Sequence, residues 1–126
     1  MDNLIKASPS FFLELGGVQR GFEYTIHSIG QIKRLTGKNP MKGQVDVNDP
    51  DDLATLVWAG LITWDETLDG KIIESSEEGK PGTPDQSVTD AIIQVQKWMR
   101  FDLLSSIGQA VKKAFDAAAP DAPKKK

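Results

Sequence analysis

The sequence predicts an α+β fold, mainly α-helical, in which an N-terminal β-hairpin packs on a small helical bundle that ends in a long helix. Three observations lead there. Apolar residues alternate on either side of a Gly-Gly pair within residues 10–26, and they recur every three or four positions in 26–36, 50–60 and 87–118. A chain of 126 residues is long enough for one modest core and too short for two. The expected organisation is a single domain over 1–118 followed by a disordered basic tail at 119–126.

After a loose lead-in to Pro9, Phe11, Leu13 and Leu15 alternate with Phe12 and Glu14, and Phe22, Tyr24 and Ile26 alternate with Glu23 and Thr25. The turn of this hairpin is either Gly16-Gly17 alone or a longer loop through Gly21, and the two choices give different registers. From Thr25 the period changes. Ile26, Ile29, Ile32 and Leu35 share a helical face, and Gly37 and Pro40 stop the helix predicted over 26–36. A polar loop over 38–48 leads to the best-specified helix, 50–60. Asp49 is placed to cap it, Pro50 suits its first position, and Asp51 and Asp52 face the positive end of its dipole. Leu53, Leu56, Val57 and Leu61 form its buried side, with Gly60 as a left-handed stop.

Thr63-Trp64-Asp65-Glu66 fits a capping box and starts a short helix over 64–74 with Leu68, Ile72 and Ile73 inward; Gly70 weakens it, leaving an extended 71–74 as the alternative. Residues 75–85, rich in Gly, Pro and charge, read as an exposed, mobile linker. Ser87 and Asp90 resemble a helix start. Val88, Ile92, Val95, Met99, Leu103, Ile107, Val111 and Phe115 then continue over 87–118, as one helix or as two with a bend near 101–105 or at Gly108. Trp98, Phe101 and Leu104 add a second apolar line, more than one small core requires. Trp58 also lies off the Leu53 face. The candidate partner-binding residues are therefore Trp58, Val95, Trp98, Met99, Phe101 and Leu104.

Chemistry-bearing patterns are sparse, and an enzyme is the least expected class. The chain has no cysteine, which removes disulfides, thiolate metal sites and a thiol nucleophile. His27, the single histidine, has no nucleophile elbow to serve. Asp46, Asn48, Asp49, Asp51 and Asp52 crowd together, but Asp51 and Val57 stand where a calcium loop places its glycine and its glutamate. Gly16-Gly17, Gly21 and Gly79-Lys80 match no phosphate-binding spacing. Neither a catalytic residue, a metal site nor a cofactor is expected. The formal charge of -3 includes Lys124, Lys125 and Lys126, so the rest is more acidic still and repels phosphate backbones. The basic cluster Lys33, Arg34, Lys38 and Lys42 lacks interleaved aromatics and reads as a helix-end charge pattern rather than a nucleic-acid contact. No apolar run is long enough for a bilayer, and the N-terminus lacks a secretory pattern.

The run Phe22-Glu23-Tyr24-Thr25-Ile26, the helix closing with Arg34-Leu35-Thr36-Gly37-Lys38, and Asp51-Asp52-Leu53-Ala54-Thr55-Leu56-Val57-Trp58-Ala59-Gly60-Leu61 followed by Thr63-Trp64-Asp65-Glu66 together resemble the tail assembly chaperones of long-tailed bacteriophages and gene transfer agents. The resemblance covers roughly residues 10–75. It implies a protein of phage or prophage origin, present in the host cytoplasm and absent from the mature virion. Such a protein binds the tape measure protein, recruits tail tube subunits and forms, on occasion, a homo-oligomer, with no nucleic-acid or membrane partner. It also implies a frameshifted longer form, for which Lys124-Lys125-Lys126 is compatible with an adenine-rich slippery site. Two other classes compete: a structural head-tail connector or tail-completion subunit, and a winged-helix-like DNA-binding regulator.

Overall fold

The computed structural model describes Pro9 and residues 11–118. Its centre is the helix Pro50–Ile62, in which nine of 13 residues are buried. Leu53, Leu56, Val57 and Leu61 are inside as expected, and Ala54, Trp58, Ala59 and Ile62 bury the opposite side as well. A helix enclosed on all sides needs partners on all sides, and the rest of the chain supplies them.

In chain order the elements are β1 (Phe12–Leu15), β2 (Val18–Gly21), α1 (Ile26–Thr36), α2 (Pro50–Ile62), β3 (Ile72–Ile73), β4 (Thr83–Pro84), α3 (Gln86–Trp98) and α4 (Leu104–Ala118), with single 3-10 turns at Pro40–Lys42, Glu66–Leu68 and Phe101–Leu103. The hairpin uses the shorter of the two possible turns. Leu15 pairs with Val18, and Gly16 and Gly17 take φ of 63° and 78°, a left-handed pair that matches strand twist and that side chains resist. Leu13 and Leu15 therefore face the core while Phe12 and Glu14 face out.

Several local expectations are corrected by tertiary contacts. Ile26 was placed on the buried face of α1 but is 92% exposed, because it sits in the first turn, ahead of the Ser28, Gln31 and Ile32 side that the rest of the chain buries. The helix expected over 50–60 runs on to Ile62, since Gly60 is an interior close-packing position and not a stop. Asp49 makes no side-chain cap; Asp52 accepts from the Asp46 amide at 3.0 Å and ties the preceding loop instead.

The helix expected over 64–74 does not form. Thr63 donates its hydroxyl to Glu23 O at 2.7 Å, leaving Asp65 to cap one 3-10 turn, and beyond it Gln31 Nε2 donates to both Asp69 Oδ1 and Gly70 O at 2.8 Å. These bonds pull residues 69 and 70 onto α1, and the extended alternative follows as β3, antiparallel to β4. The expected linker over 75–85 is docked near its C-terminal end: Gly82 N donates to Arg34 O, closing the C-terminus of α1, and Asp85 N donates to Lys71 O. Asp85, not Ser87, caps α3 by accepting from Val88 N at 3.0 Å.

Residues 87–118 are two helices. Met99 leaves helical space at φ -84°, ψ 120°, and the 3-10 turn Phe101–Leu103 redirects the chain into α4. α3 contributes Val88, Ala91 and Val95 to the core, and α4 contributes Ile107, Val111 and Ala114. Tyr24 joins the layers: its hydroxyl donates to Leu56 O at 2.6 Å and its ring stacks on Phe115 at 4.2 Å. Burial pushes that hydroxyl's pKa well above its ordinary value. The tail expected at 119–126 lies outside the described residues, and no helix among those described is long and apolar enough to cross a membrane.

Candidate functional site

The six candidate partner-binding residues separate into two groups. Trp58 and Val95 are 0% exposed and belong to the core. Trp58 also satisfies its indole N–H on Leu68 O at 2.7 Å, so nothing of it is left for a partner. Both are corrections. They arise because α2 is covered on every side and because α3 turns the Val88, Ala91 and Val95 stripe inward. The other four cluster at the corner between α3 and α4. Trp98, Met99 and Leu104 are half-buried, while Phe101 is 86% exposed. Trp98 is held between the hairpin turn and the guanidinium of Arg20, 3.8 Å from its ring centroid.

Phe101 does not stand alone. Leu103 beside it is 38% exposed, and Phe12 on the outer face of β1 is 53% exposed. Between them run two grooves that share Ser106 of α4. One, of 320 Å³, is lined by Phe11, Phe12, Phe22, Ala110 and Lys113; the other, of 440 Å³, by Leu13, Glu14, Trp98, Arg100, Leu103 and Ile107. A third groove of 380 Å³ lies between Val47, Pro50, Leu53 and Leu104, Gly108 and Lys112. The result is an apolar surface edged by Arg100, Lys112 and Lys113. Sequence reading passed over Phe12 and Leu103 as contact residues. The signal was present for Phe12, since alternation against buried Leu13 and Leu15 already sends it outward.

A second, polar cleft of 580 Å³ gathers Thr25, His27, Thr63, Glu66 and Asp69. His27 Nε2 lies 2.8 Å from Asp69 Oδ2, and Asp69 Oδ1 accepts from Gln31 Nε2 and from its neighbour Gly70 N, both at 2.8 Å. A His-Asp pair fixed in this way is one half of a nucleophile-activating system. The hydroxyls in the cleft are engaged elsewhere, Thr63 with Glu23 O and Thr25 with Ser28 in a capping box. Among the described residues no group of three metal-ligating side chains forms. What the pair does is brace the start of α1 against the 69–70 segment.

That brace is pH-sensitive. Burial pushes the Asp69 carboxyl up, but His27, Gln31 and the Gly70 amide together outweigh it and hold the group below its ordinary value. The Val88 and Lys71 amides hold Asp85 low in the same direction. A carboxyl that is lower folded than unfolded adds stability above its unfolded value of about 4, and that contribution is lost as pH falls through the folded value. Urea midpoints measured from about pH 6 down to about pH 3 should therefore fall, and Asp69→Asn should lower the midpoint at the upper end while flattening the decline. An unchanged slope in the variant would contradict the assignment.

The basic cluster is partly neutralised. Lys38 Nζ is 3.6 Å from Asp52, Arg34 donates to Gln31 Oε1, and Lys33, Lys38 and Lys42 share a cleft with Glu74, Glu77 and Glu78. Compared with family models, curated proteins and solved structures, the chain matches none of them.

Proposed function

We propose that the protein is a tail assembly chaperone that shelters an apolar segment of the tape measure protein of a long-tailed phage in the host cytoplasm, brings tail tube subunits to it, and leaves before the particle is complete. The observation that carries this reading is Phe101. It is 86% exposed at the corner between α3 and α4, beside Leu103, which lines one of the grooves along α4, whereas Phe22, Tyr24 and Trp58 are buried. An exposed aromatic beside other exposed apolar side chains supports an interaction surface. Such a role needs an apolar surface on a self-limiting scaffold and no catalytic group. The resemblance in residues 10–75 supplies the identity of the client.

Phe101→Asp tests it. Because the side chain is exposed, the variant should unfold within about 0.5 kcal/mol of the parent. Its affinity for the client should fall by about 1.5–3 kcal/mol, roughly ten- to a hundredfold, read as the yield of soluble tape measure protein on co-expression. Unchanged yield would reject the surface. Presence of the protein in purified mature particles would favour a structural connector, and tight, steeply salt-dependent DNA binding a regulator.

A further inference from the structure

Among the described residues, β1 has one paired edge and one open edge. Phe22 N donates to Phe11 O at 3.0 Å, and the ladder continues through Leu13 with Arg20 and Leu15 with Val18. Residues between such pairs turn their amides and carbonyls the other way, so Phe12 and Glu14 present theirs to the outside. Among the described residues no backbone group pairs with them there. Exposed edges are ordinarily blunted by brevity, charge, proline or a bulge; β1 is four residues long and carries the Glu14 charge, but has no lysine, proline or bulge. The β2 edge is covered at one end only, where Gly21 lies against Pro9 and the Trp64 ring, while Val18 and Gln19 are exposed.

The open edge borders the two grooves that share Ser106, with Lys113 at the Phe12 end and Glu14 towards the turn. A partner that satisfies such an edge has to bring its own amides and carbonyls in an extended run, with side chains alternating between pocket and solvent. An amphipathic helix, whose backbone bonds are internal, leaves the edge unmet. From this geometry we infer that β1 takes an extended segment of the client as a third strand, with an apolar side chain against Phe12, a carboxylate near Lys113 and a cation near Glu14. This inference rests on the chaperone reading above and specifies the form in which the client is held.

Amide hydrogen exchange on the unmodified protein tests it, with co-expressed tape measure protein as the probe. In the free protein the Phe12 and Glu14 amides should exchange quickly while Leu13 and Leu15 are protected; in the complex both should slow at least roughly tenfold. Glu14→Pro removes an outward amide without touching the β1–β2 ladder, so it should weaken the complex at least roughly tenfold, whereas Glu14→Ala, which keeps the amide and loses only an exposed ion pair, should weaken it less than about fivefold. A complex in which Phe12 and Glu14 exchange as before overturns strand addition and leaves the chaperone reading standing. Failure to form any complex overturns both. Protection that appears on concentrating the protein alone assigns the edge to a second copy of this chain and overturns the client as its occupant.

Discussion

Trp58→Ala is expected to destabilise the protein by about 3–5 kcal/mol, the range for emptying a fully buried aromatic site. The ring is 0% exposed within α2, the helix that every other helix packs around, so neighbours cannot collapse into the space without shifting the core. The loss has a polar part as well. The indole N–H donates to Leu68 O at 2.7 Å and holds the 3-10 turn after α2 in place. Trp58→Phe keeps most of the volume and removes only that donor, which should cost about 1–3 kcal/mol if the carbonyl stays dry. Urea unfolding should rank parent, Phe variant and Ala variant in that order. Had Trp58 been a partner contact, the ranking would appear in client affinity while stability hardly moved, so one pair of measurements on each variant separates the two roles.

α1, α2 and the two C-terminal helices were legible because their signals are long and periodic: Leu53, Leu56, Val57 and Leu61 need no knowledge of the rest of the chain to be placed inside. The hairpin was legible from its Gly-Gly turn, but its second strand is Val18–Gly21 and not the alternating run from Phe22 to Ile26. Caps were not legible, for a specific reason. At each of three helix starts two acceptors stand two or three residues apart, Asp49 with Asp52, Thr63 with Asp65, Asp85 with Ser87, and the bonds made in the folded chain decide which one caps. Thr63 is taken by Glu23, forty residues away in the chain. The long apolar stripe divides near 101–105, one of the two bends expected; because the corner at residues 99–103 carries neither proline nor glycine, nothing local separated it from a bend at Gly108 or from one continuous helix. That division is what moves Val95 inward and Phe101 outward, and it explains why the candidate surface was half right. Its exposed half was readable from excess apolar length; its buried half required knowing that α2 has neighbours all round.

Gly60→Ala should reverse sign depending on Phe22. Inside a helix this change ordinarily stabilises by about 1 kcal/mol, because glycine has more backbone freedom to lose. Here an added Cβ would come within 2.7 Å of both Cδ1 and Cζ of the Phe22 ring, which is itself 1% exposed and set edge-on to Tyr24 at 5.4 Å. The ring cannot retreat without disturbing Tyr24 and its bond to Leu56, so overpacking of about 1–3 kcal/mol outweighs the backbone gain and the single variant is less stable. In a Phe22→Ala background the obstacle is gone and the added methyl enters the space it leaves. There Gly60→Ala should be neutral or stabilising by up to about 1 kcal/mol, and the double-mutant cycle should report a coupling of about 1–3 kcal/mol between the two sites. If Gly60 were instead a left-handed helix stop, alanine would be strained whatever occupied position 22, and the coupling would vanish. Because Glu23 N also donates to Gly60 O at 3.0 Å, the segment leaving the hairpin is tied to α2 here as well as through Tyr24 and Thr63, and the same cycle measures how firmly that segment is seated on the core.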